Sequence, residues 1–348
     1  MDYARKLERI GRTLRKTGQS KLPADTQVRI FSDKLGIDYS YESTASRPFH
    51  AASIGKVFVA ALLLRLAGEH KLGLDQLVSE ILPLELLTGL FVVAGKDHSQ
   101  KVTIRHLATH TSGINDYFDS KSSQHSSFIE QVISQPNHFW KPDELLDYTR
   151  KYQSAVGRPG EKFLYSDTGY VLLGKILENV SGKAYDKLLY DSIFKPLGMK
   201  SSYLYGYPVG TTRGEMAPLI VNGTDVSKMT SLTCDWSGGG VVTTTDDLLL
   251  FQAALITGEF GDLLSEQAGF QNKFQRGIHY GFGLMELHFN DFFFLLRGLP
   301  KMKGHIGITA THMFYDDVND THYIMNFGSD KRMVESFRTL IKIVQTLR

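Results

Sequence analysis

The sequence lacks the features that would tie it to an oxidising compartment, to nucleic acid or to a membrane. Cys234 is the only cysteine among 348 residues, so no intramolecular disulfide can form. The formal net charge of +2 is too small to indicate nucleic-acid binding. The longest fully apolar run near residue 53, Val57 to Leu64, is far too short to span a membrane. We therefore expect neither a nucleic-acid partner nor a membrane span, while the sequence does not reveal the oligomeric state.

The N-terminal segment, MDYARKLERIGRTLRK, also lacks the apolar core of a signal peptide. Together with the single cysteine, this permits a cytoplasmic location if the chain is full length. A periplasmic or extracellular location follows if a signal was removed, so the native compartment stays open.

Familiar catalytic and metal-binding motifs are missing as well. The chain contains no G-x-S-x-G pentapeptide of the α/β-hydrolase type and no H-E-x-x-H zinc motif. Its twelve histidines show no convincing metal-ligand spacing, and the lone cysteine has no partner for a metal site. The chemistry must therefore be sought in another set of residues.

What is present is the pattern of an α+β protein. A hydrophobic content of 42% allows a sizeable core, and alternating residues at 27–31 and 36–42 predict two strands before a helix at 53. The C-terminal part predicts four more strands and a closing helix, at 280–288, 291–297, 304–315, 321–327 and 333–347. Because strands joined by tight turns run antiparallel, we expect an antiparallel sheet flanked by helices.

The middle of the chain has a different pattern, which is mostly helical and broken by loops. We therefore predict a sheet domain made of residues 1–74 and 231–348, with a mainly helical domain, residues 75–230, inserted between its two parts. The active site would lie between the two domains.

The stretch FHAASIGKVFVAALLLRLAG, residues 49–68, places Ser53 and Lys56 three positions apart. Residues i and i+3 share one face of a helix, so the hydroxyl and the amine can meet. Ser53 falls near the helix N-terminus, where unpaired N–H groups favour a developing negative charge. The same S-x-x-K spacing recurs at Ser192 and Lys195, in a segment that reads more simply as a helix end.

Lys56 is the more informative member of the pair. It is the only charged residue between Ala51 and Leu64, in a helix that is apolar on every face and hence buried. Burial disfavours the charged form of lysine, and a neutral lysine can act as a general base for a serine hydroxyl. Alternatively, Ser53 caps the helix and Lys56 extends outward to water. This stretch alone does not decide between the two.

Two downstream triplets could complete a catalytic site. Tyr165-Ser166-Asp167 precedes an amphipathic helix, and His305-Ile306-Gly307 lies inside a predicted strand. Each triplet is common by itself. Tyr165 could equally be a core tyrosine, and His305 a hydrogen-bonded histidine on a sheet.

The order of these motifs resembles that of the serine β-lactamase-like superfamily, which includes class C β-lactamases, D-alanyl-D-alanine carboxypeptidases and the esterases of the same fold. The resemblance spans nearly the whole chain. Further segments resemble the family's pattern in the right order: IRHLATHTSGI (104–114), YSDTGYVLLGKILENVSG (165–182), IFKPLGMKSS (193–202) and SGGGVVTTTDDLLLF (237–251).

The resemblance implies a set of roles. Ser53 would be the acylated nucleophile, Lys56 would share or accept its proton, and Tyr165 would be a general acid/base. The backbone N–H groups of Ser53 and Ile308 would form the oxyanion hole, and Gly307 would let the substrate carbonyl approach the strand. The resemblance implies no metal and no organic cofactor.

The chain departs from the family pattern at two positions that would touch substrate. The tyrosine motif usually ends in Asn, but here it ends in Asp167, which could pair with Lys56 and keep it protonated, or could bind a cationic group of the substrate. The third motif usually reads K-T-G in β-lactamases. Here His305, a weaker cation at neutral pH, and Ile306 replace the lysine and the hydroxyl.

The leading hypothesis is therefore a serine hydrolase that acts on a small ester, amide or peptide, as an esterase or D-amino-acid peptidase more than as a β-lactamase. A β-lactamase or a penicillin-binding D-alanyl-D-alanine carboxypeptidase is the alternative within the class. A binding module of the same fold that has lost catalysis is the alternative outside it. Tyr117 is a candidate for the wall of the substrate pocket, as is Trp236, although core packing would explain both.

Overall fold

A computed structural model describes residues 3–18, 24–118, 127–210, 214–267 and 269–348. The α-helices of this part of the chain, numbered α1 to α13, are Tyr3–Gly18, Gly55–Gly68, Leu84–Leu87, Ile104–Ala108, Phe128–Ser134, Pro142–Tyr152, Asp167–Ser181, Tyr185–Leu189, Lys195–Leu197, Trp236–Gly239, Thr245–Ile256, Phe289–Phe292 and Met333–Leu347. The strands, numbered β1 to β15, are Gln27–Ser32, Ile37–Glu42, Phe49–His50, Val92–Val93, Lys96–Asp97, Tyr203–Leu204, Ile220–Val221, Thr224–Asp225, Val241–Thr243, Asn272–Gln275, Ile278–Tyr280, Met285–Leu287, Met302–Gly307, Thr311–Asp316 and Thr321–Asn326.

An eight-stranded sheet is the largest element of the fold, with strand order β10-β11-β12-β13-β14-β15-β1-β2. Every neighbouring pair is antiparallel, and β1 from the start of the chain lies between β2 and β15, with Gln27 opposite Asn326. Helices α1 and α13 pack against each other and α1 against β2, while α11 packs on β1 and β15. The predicted α+β class, an antiparallel sheet flanked by helices, is confirmed.

Three of the strand predictions need correction. Residues 280–288 hold the end of β11 and all of β12, because a turn with Gly283 in the left-handed region (φ +68°) divides them. Residues 304–315 form the β13–β14 hairpin, which turns at Ala310 (φ +61°). The segment 291–297 is a pair of short helical turns, although its phenylalanines favour strands, because no neighbouring strand pairs with it.

Helix α2 runs through the centre of the molecule, where it contacts α7 and α10. All but three of its side chains are buried, as the all-round apolar pattern predicted. A 3₁₀ turn, Ala52–Ile54, leads into this helix and packs against β13. The start of α2 and the end of β13 are thereby held side by side. Among the helices that the structure describes, none has the length and hydropathy needed to cross a bilayer.

Candidate active site

Ser53 lies in the 3₁₀ turn at the start of α2 and opens onto a cavity of about 690 Å³. The preceding residue, Ala52, has a left-handed backbone (φ +49°), a conformation that costs a non-glycine residue about 1–3 kcal/mol. A hydrogen bond from the Ala52 N–H to His50 Nδ1, at 3.2 Å, helps to hold this turn. The strained turn exposes the Ser53 hydroxyl at the cavity while its neighbours stay buried.

Lys56 is fully buried one turn further along and makes three polar contacts with its ammonium group. It donates to Ser53 Oγ at 3.3 Å and to the carbonyl oxygen of Gly238 at 2.8 Å, and it forms a short ion pair with Asp167. An ammonium has three N–H donors and no acceptor, so the three acceptors match the protonated form. Of the two roles expected for Asp167, the geometry therefore favours the ion pair with Lys56.

The Tyr165 hydroxyl is buried beside this pair, and no atom of the described residues completes a hydrogen bond of normal geometry with it. Burial and the Asp167 carboxylate raise the pKa of Tyr165 well above its ordinary value, although the nearby Ser53 hydroxyl lowers it. The Lys56 ammonium lies over the tyrosine ring, 4.9 Å from its centroid. Tyr165 is therefore a neutral phenol in the resting site, which suits a proton donor better than a base.

Two buried histidines stand behind Tyr165. The ring of His110 lies 4.3 Å from the Tyr165 ring, between centroids, and its Nδ1 accepts the Ser166 N–H at 3.0 Å. His305 packs 6.4 Å from the same tyrosine ring and places Nδ1 2.7 Å from the Ile306 carbonyl oxygen. His110 belongs to the segment IRHLATHTSGI, whose pattern alone predicts no role for it, and its packing makes it a support for Tyr165.

The prediction that His305 binds substrate directly is wrong. The side chain is fully buried and does not line the cavity. Burial, reinforced by the nearby Lys56 charge, lowers the pKa of His305 to about 3, so the imidazole is neutral. Strand alternation explains the error, because Ile306 and not His305 faces the cavity.

The end of β13 supplies the second half of a possible oxyanion hole. The backbone N–H groups of Ser53 and Ile308 have no backbone or side-chain partner among the described residues, and both residues line the cavity. A Cβ atom at Gly307 would come within 2.8 Å of the Ala51 carbonyl oxygen. Gly307 is thus needed for close packing of the strand on the turn that carries Ser53, and its predicted role in the approach of the substrate carbonyl stays a prediction.

The glycines of the SGGG segment, residues 237–240, lie on the other side of the turn Ala52–Ile54, which carries Ser53. Gly238 carries the carbonyl that accepts from Lys56, and a Cβ there would lie 2.6 Å from Asp167 Oδ1. A Cβ at Gly239 would lie 3.0 Å from the Ala52 carbonyl carbon. Side chains at these positions would push α10 away from Ser53, so glycine holds the backbones in contact.

The aromatic residues predicted for the pocket wall do not line it. Tyr117 is 1% exposed and donates its hydroxyl to the Cys234 carbonyl oxygen at 2.7 Å, and Trp236 is likewise buried in the core. Their neighbours Asp116 and Asp235 line the cavity instead. Neither aspartate was predicted to line the cavity, because the direction of a side chain in an irregular loop leaves no periodic pattern in the sequence.

Metal-ligand geometry occurs elsewhere on the molecule. Among the described residues, the only group of potential ligands close enough to share an ion is His279, His288 and Asp291, and none of the three lines the cavity. The cavity residues therefore present a nucleophile, proton donors and carboxylates in place of a metal-binding set.

Known proteins share both the sequence pattern and the fold. A family model described as Beta-lactamase matches residues 39–342. Penicillin-binding protein 4* of Bacillus subtilis (strain 168) is 31% identical over 268 residues, which are 70% of this chain and 54% of the relative, so the chain spans about half the length of that protein.

Solved structures with similar folds have lower identities and therefore show the fold alone. The D-amino acid amidase from Ochrobactrum anthropi SV3, complexed with D-phenylalanine, superposes with a TM-score of 0.77 at 20% identity and covers 98% of each chain. EstCE1, described as a hydrolase with promiscuous acyltransferase activity, has a TM-score of 0.73 at 20% identity and covers 99% of this chain and 98% of its own. The resemblance drawn from the motifs is confirmed: the chain belongs to the beta-lactamase family, within the serine β-lactamase-like superfamily.

Proposed function

We propose that the protein is a serine hydrolase that forms an acyl-enzyme on Ser53 and hydrolyses a small ester or amide. The observation that carries the proposal is the Lys56–Ser53 hydrogen bond at the cavity, with two unpartnered backbone N–H groups at the same place. A nucleophile, a proton-transfer partner and preorganised donors for an oxyanion are the requirements of acyl transfer. The names of the similar proteins, an amidase, a hydrolase and penicillin-binding proteins, support the same chemistry.

The protonation states suggest how the proton moves. Ser53 Oγ attacks the substrate carbonyl carbon, and its proton enters the Lys56–Asp167 pair, where Lys56 passes one proton to Asp167 and receives the serine proton. The phenol of Tyr165 gives its proton to the leaving oxygen or nitrogen as the bond to the acyl carbon breaks. Lys56 then returns a proton to Tyr165, and water releases the acyl group by the reverse path.

The residues of the third motif, His305-Ile306-Gly307, indicate which class of substrate the cavity favours. A β-lactam or a peptide C-terminus carries a carboxylate, which the family lysine in K-T-G would meet. In this chain His305 is neutral and buried, and Ile306 presents an apolar side chain to the cavity. Lys273 is exposed at the cavity, but it lies on β10, outside that motif. These features favour an ester or amide without a carboxylate over a β-lactam or a D-alanyl-D-alanine peptide.

The experiment that tests the proposal combines labelling with turnover. The protein is treated with a fluorophosphonate probe and with a labelled penicillin, and the peptide that carries Ser53 is examined by mass spectrometry. Turnover is measured on p-nitrophenyl acetate and butyrate, on D-phenylalanine p-nitroanilide and on nitrocefin. We expect a fluorophosphonate adduct on Ser53 and turnover of the esters or the anilide.

The other results identify the alternatives. Faster turnover of nitrocefin than of any ester or anilide would assign the protein to the β-lactamase branch instead. Lasting acylation by penicillin without turnover of the other substrates would favour a penicillin-binding carboxypeptidase. The absence of any adduct and any turnover would leave a binding module of the same fold.

Replacing Asp167 by asparagine, the residue that the family pattern usually has, is expected to shift the acid limb of the kcat/KM profile to higher pH by about one unit or more. In the proposed proton path the Asp167 carboxylate takes the proton that Lys56 passes on, so the ion pair accepts the serine proton as a unit. Without the carboxylate, an amine has to release its proton to solvent first, and amines do so at higher pH than carboxylic acids.

The measurement is kcat/KM between pH 5 and 9 on a neutral p-nitrophenyl ester. Asp38→Asn serves as the matched control, because Asp38 is an exposed carboxylate that pairs with Arg29 on the sheet. An unchanged or downward-shifted acid limb in Asp167→Asn would contradict the role given to the carboxylate.

A further inference from the structure

The cavity at Ser53 is lined by more carboxylates than the proposed chemistry uses. Asp116, Asp167 and Asp235 all line it. Asp167 is neutralised by Lys56, and the Asp116 carboxylate accepts the backbone N–H of Asp167 at 2.8 Å. Asp235 has no part in the proton path described above. The proposed hydrolysis therefore gives no role to this third carboxylate next to the nucleophile.

Asp235 is placed by the same elements that place the nucleophile. It is the last residue of the 3₁₀ helix Thr230–Asp235, directly before α10, whose glycines contact the turn at Ser53. Its Oδ2 lies 3.6 Å from Nε2 of His50, a residue three positions before the nucleophile. The carboxylate therefore faces the cavity from a rigid position close to the reacting centre.

The contacts of Asp235 leave its negative charge without a cation. His50 accepts the Ala52 N–H through Nδ1, so its own proton is on Nε2, and burial lowers the pKa of His50 to about 4. The imidazole is 1% exposed, its Nε2 has no hydrogen-bond partner, and it is a neutral N–H directed at the carboxylate. The other contact is the Cys234 thiol, 3.6 Å from Oδ1. Within the described residues no charged partner lies at ion-pair distance from Asp235.

Burial and the neighbouring negative charge both disfavour the ionised form of Asp235 when no cation is bound. Desolvation and the charge of Asp167 raise the pKa of Asp235 to about 7, against a smaller opposite effect of Lys56. A cation bound from solution would compensate the charge, whereas an anion beside Asp235 would have no such effect. The cavity is built to accept positive charge on its substrate.

We infer that Asp235 forms a subsite for a protonated amine, so that the preferred substrates are esters or amides that carry an ammonium group close to the scissile carbonyl, as amino-acid amides and esters do. This inference rests on the proposed hydrolysis at Ser53. The ammonium would replace the missing cation of Asp235 and would orient the carbonyl toward Ser53 and the two free N–H groups. Apolar residues of the same cavity, among them Phe118, Phe274 and Met285, would contact the rest of the acyl group.

The first test compares substrates that differ only in the amine. The D- and L-phenylalanine p-nitroanilides are compared with the p-nitroanilide of 3-phenylpropionic acid, which has the same skeleton without the amino group. We expect the wild-type protein to favour one of the amines in kcat/KM, and Asp235→Asn to reduce this preference about 10- to 100-fold, the value of a hydrogen bond to a charged group. The readout is the ratio of the two kcat/KM values within each protein, so a general change in activity cancels.

Two matched variants separate charge from structure. Asp235→Glu retains the charge and is expected to keep part of the preference for the amine, whereas Asp38→Asn should leave it unchanged. Asp235→Asn is also expected to raise the melting temperature at pH 8, because the wild-type protein must then bury an ionised carboxylate. A loss of amine preference in a variant that is at least as stable cannot be attributed to misfolding.

A binding measurement distinguishes failure of this inference from failure of the proposed function. Calorimetry on Ser53→Ala, with D-phenylalaninamide against 3-phenylpropanamide, reports the subsite without any turnover. Tighter binding of the amine that disappears in Ser53→Ala/Asp235→Asn supports the subsite even if no substrate is hydrolysed. Equal binding of the two amides, or an amine preference that survives the Asp235→Asn change, would overturn it.

Discussion

Replacing Ser53 by alanine is expected to lower kcat/KM by about four orders of magnitude or more on every substrate that the protein hydrolyses, because no acyl-enzyme can form without the hydroxyl. The measurement is the initial rate at equal protein concentrations, with the loss of the fluorophosphonate adduct as a second readout. The fold should survive, since Ser53 lies at the cavity surface, where its hydroxyl accepts a 3.3 Å hydrogen bond from Lys56.

The chain contains its own control for this substitution. Ser192 and Lys195 repeat the S-x-x-K spacing, but Ser192 does not line the cavity, and its carbonyl oxygen accepts from Arg65 at 2.7 Å. Ser192→Ala should therefore leave kcat/KM unchanged within about twofold. If Ser53→Ala kept more than a tenth of the wild-type activity, the nucleophile would have to be a different group.

The second large effect is expected from Lys56→Met, which removes the charge at the centre of the site while it retains the length of the side chain. The fully buried ammonium is replaced by a thioether, and Asp167 loses its partner. We expect kcat/KM to fall by about three orders of magnitude. We also expect a loss of about 3–5 kcal/mol in the free energy of unfolding, because an uncompensated buried charge remains.

A double variant separates these two consequences. Lys56→Met/Asp167→Asn removes both charges, so most of the stability should return in urea denaturation, while the activity stays at the level of the single variant. Recovery of both stability and activity in the double variant would mean that Lys56 only neutralises Asp167 and takes no part in proton transfer.

The sequence predicted those parts of the fold that have a strong periodicity. Helix α2 with its all-round apolar pattern, the closing helix α13 and the interior strands β1 and β15 lie where the pattern placed them. The strand prediction for 291–297 was wrong. Its aromatic residues have a high strand propensity, but packing determines the secondary structure of such short stretches. Its neighbours confirm the point, since Phe292 packs on Phe289 and Phe337 from a helical turn.

The residues of the candidate site were likewise predicted correctly only in part. Residues in motifs with a fixed spacing, such as Ser53 and Lys56 on one helix face, are brought together as the spacing suggested. The direction of a side chain in a strand or loop cannot be predicted without the register. For that reason Tyr117 and His305 were predicted to face the substrate cavity, although both are buried. The division into a sheet domain and an inserted helical domain at residues 74 and 230 stays a prediction.

The pairing of β1 with β15 also bears on how the chain folds. Gln27 lies opposite Asn326, so β1 can find its inner neighbour only after all the residues between these two strands have been made. Contacts between residues so far apart in sequence close slowly, because a long loop must be ordered before they form. Until then β1 can pair on one side only, and its free edge is open to other strands. The 3₁₀ turn that carries Ser53 packs on β13, so the nucleophile reaches its final position only after β13 has joined the sheet.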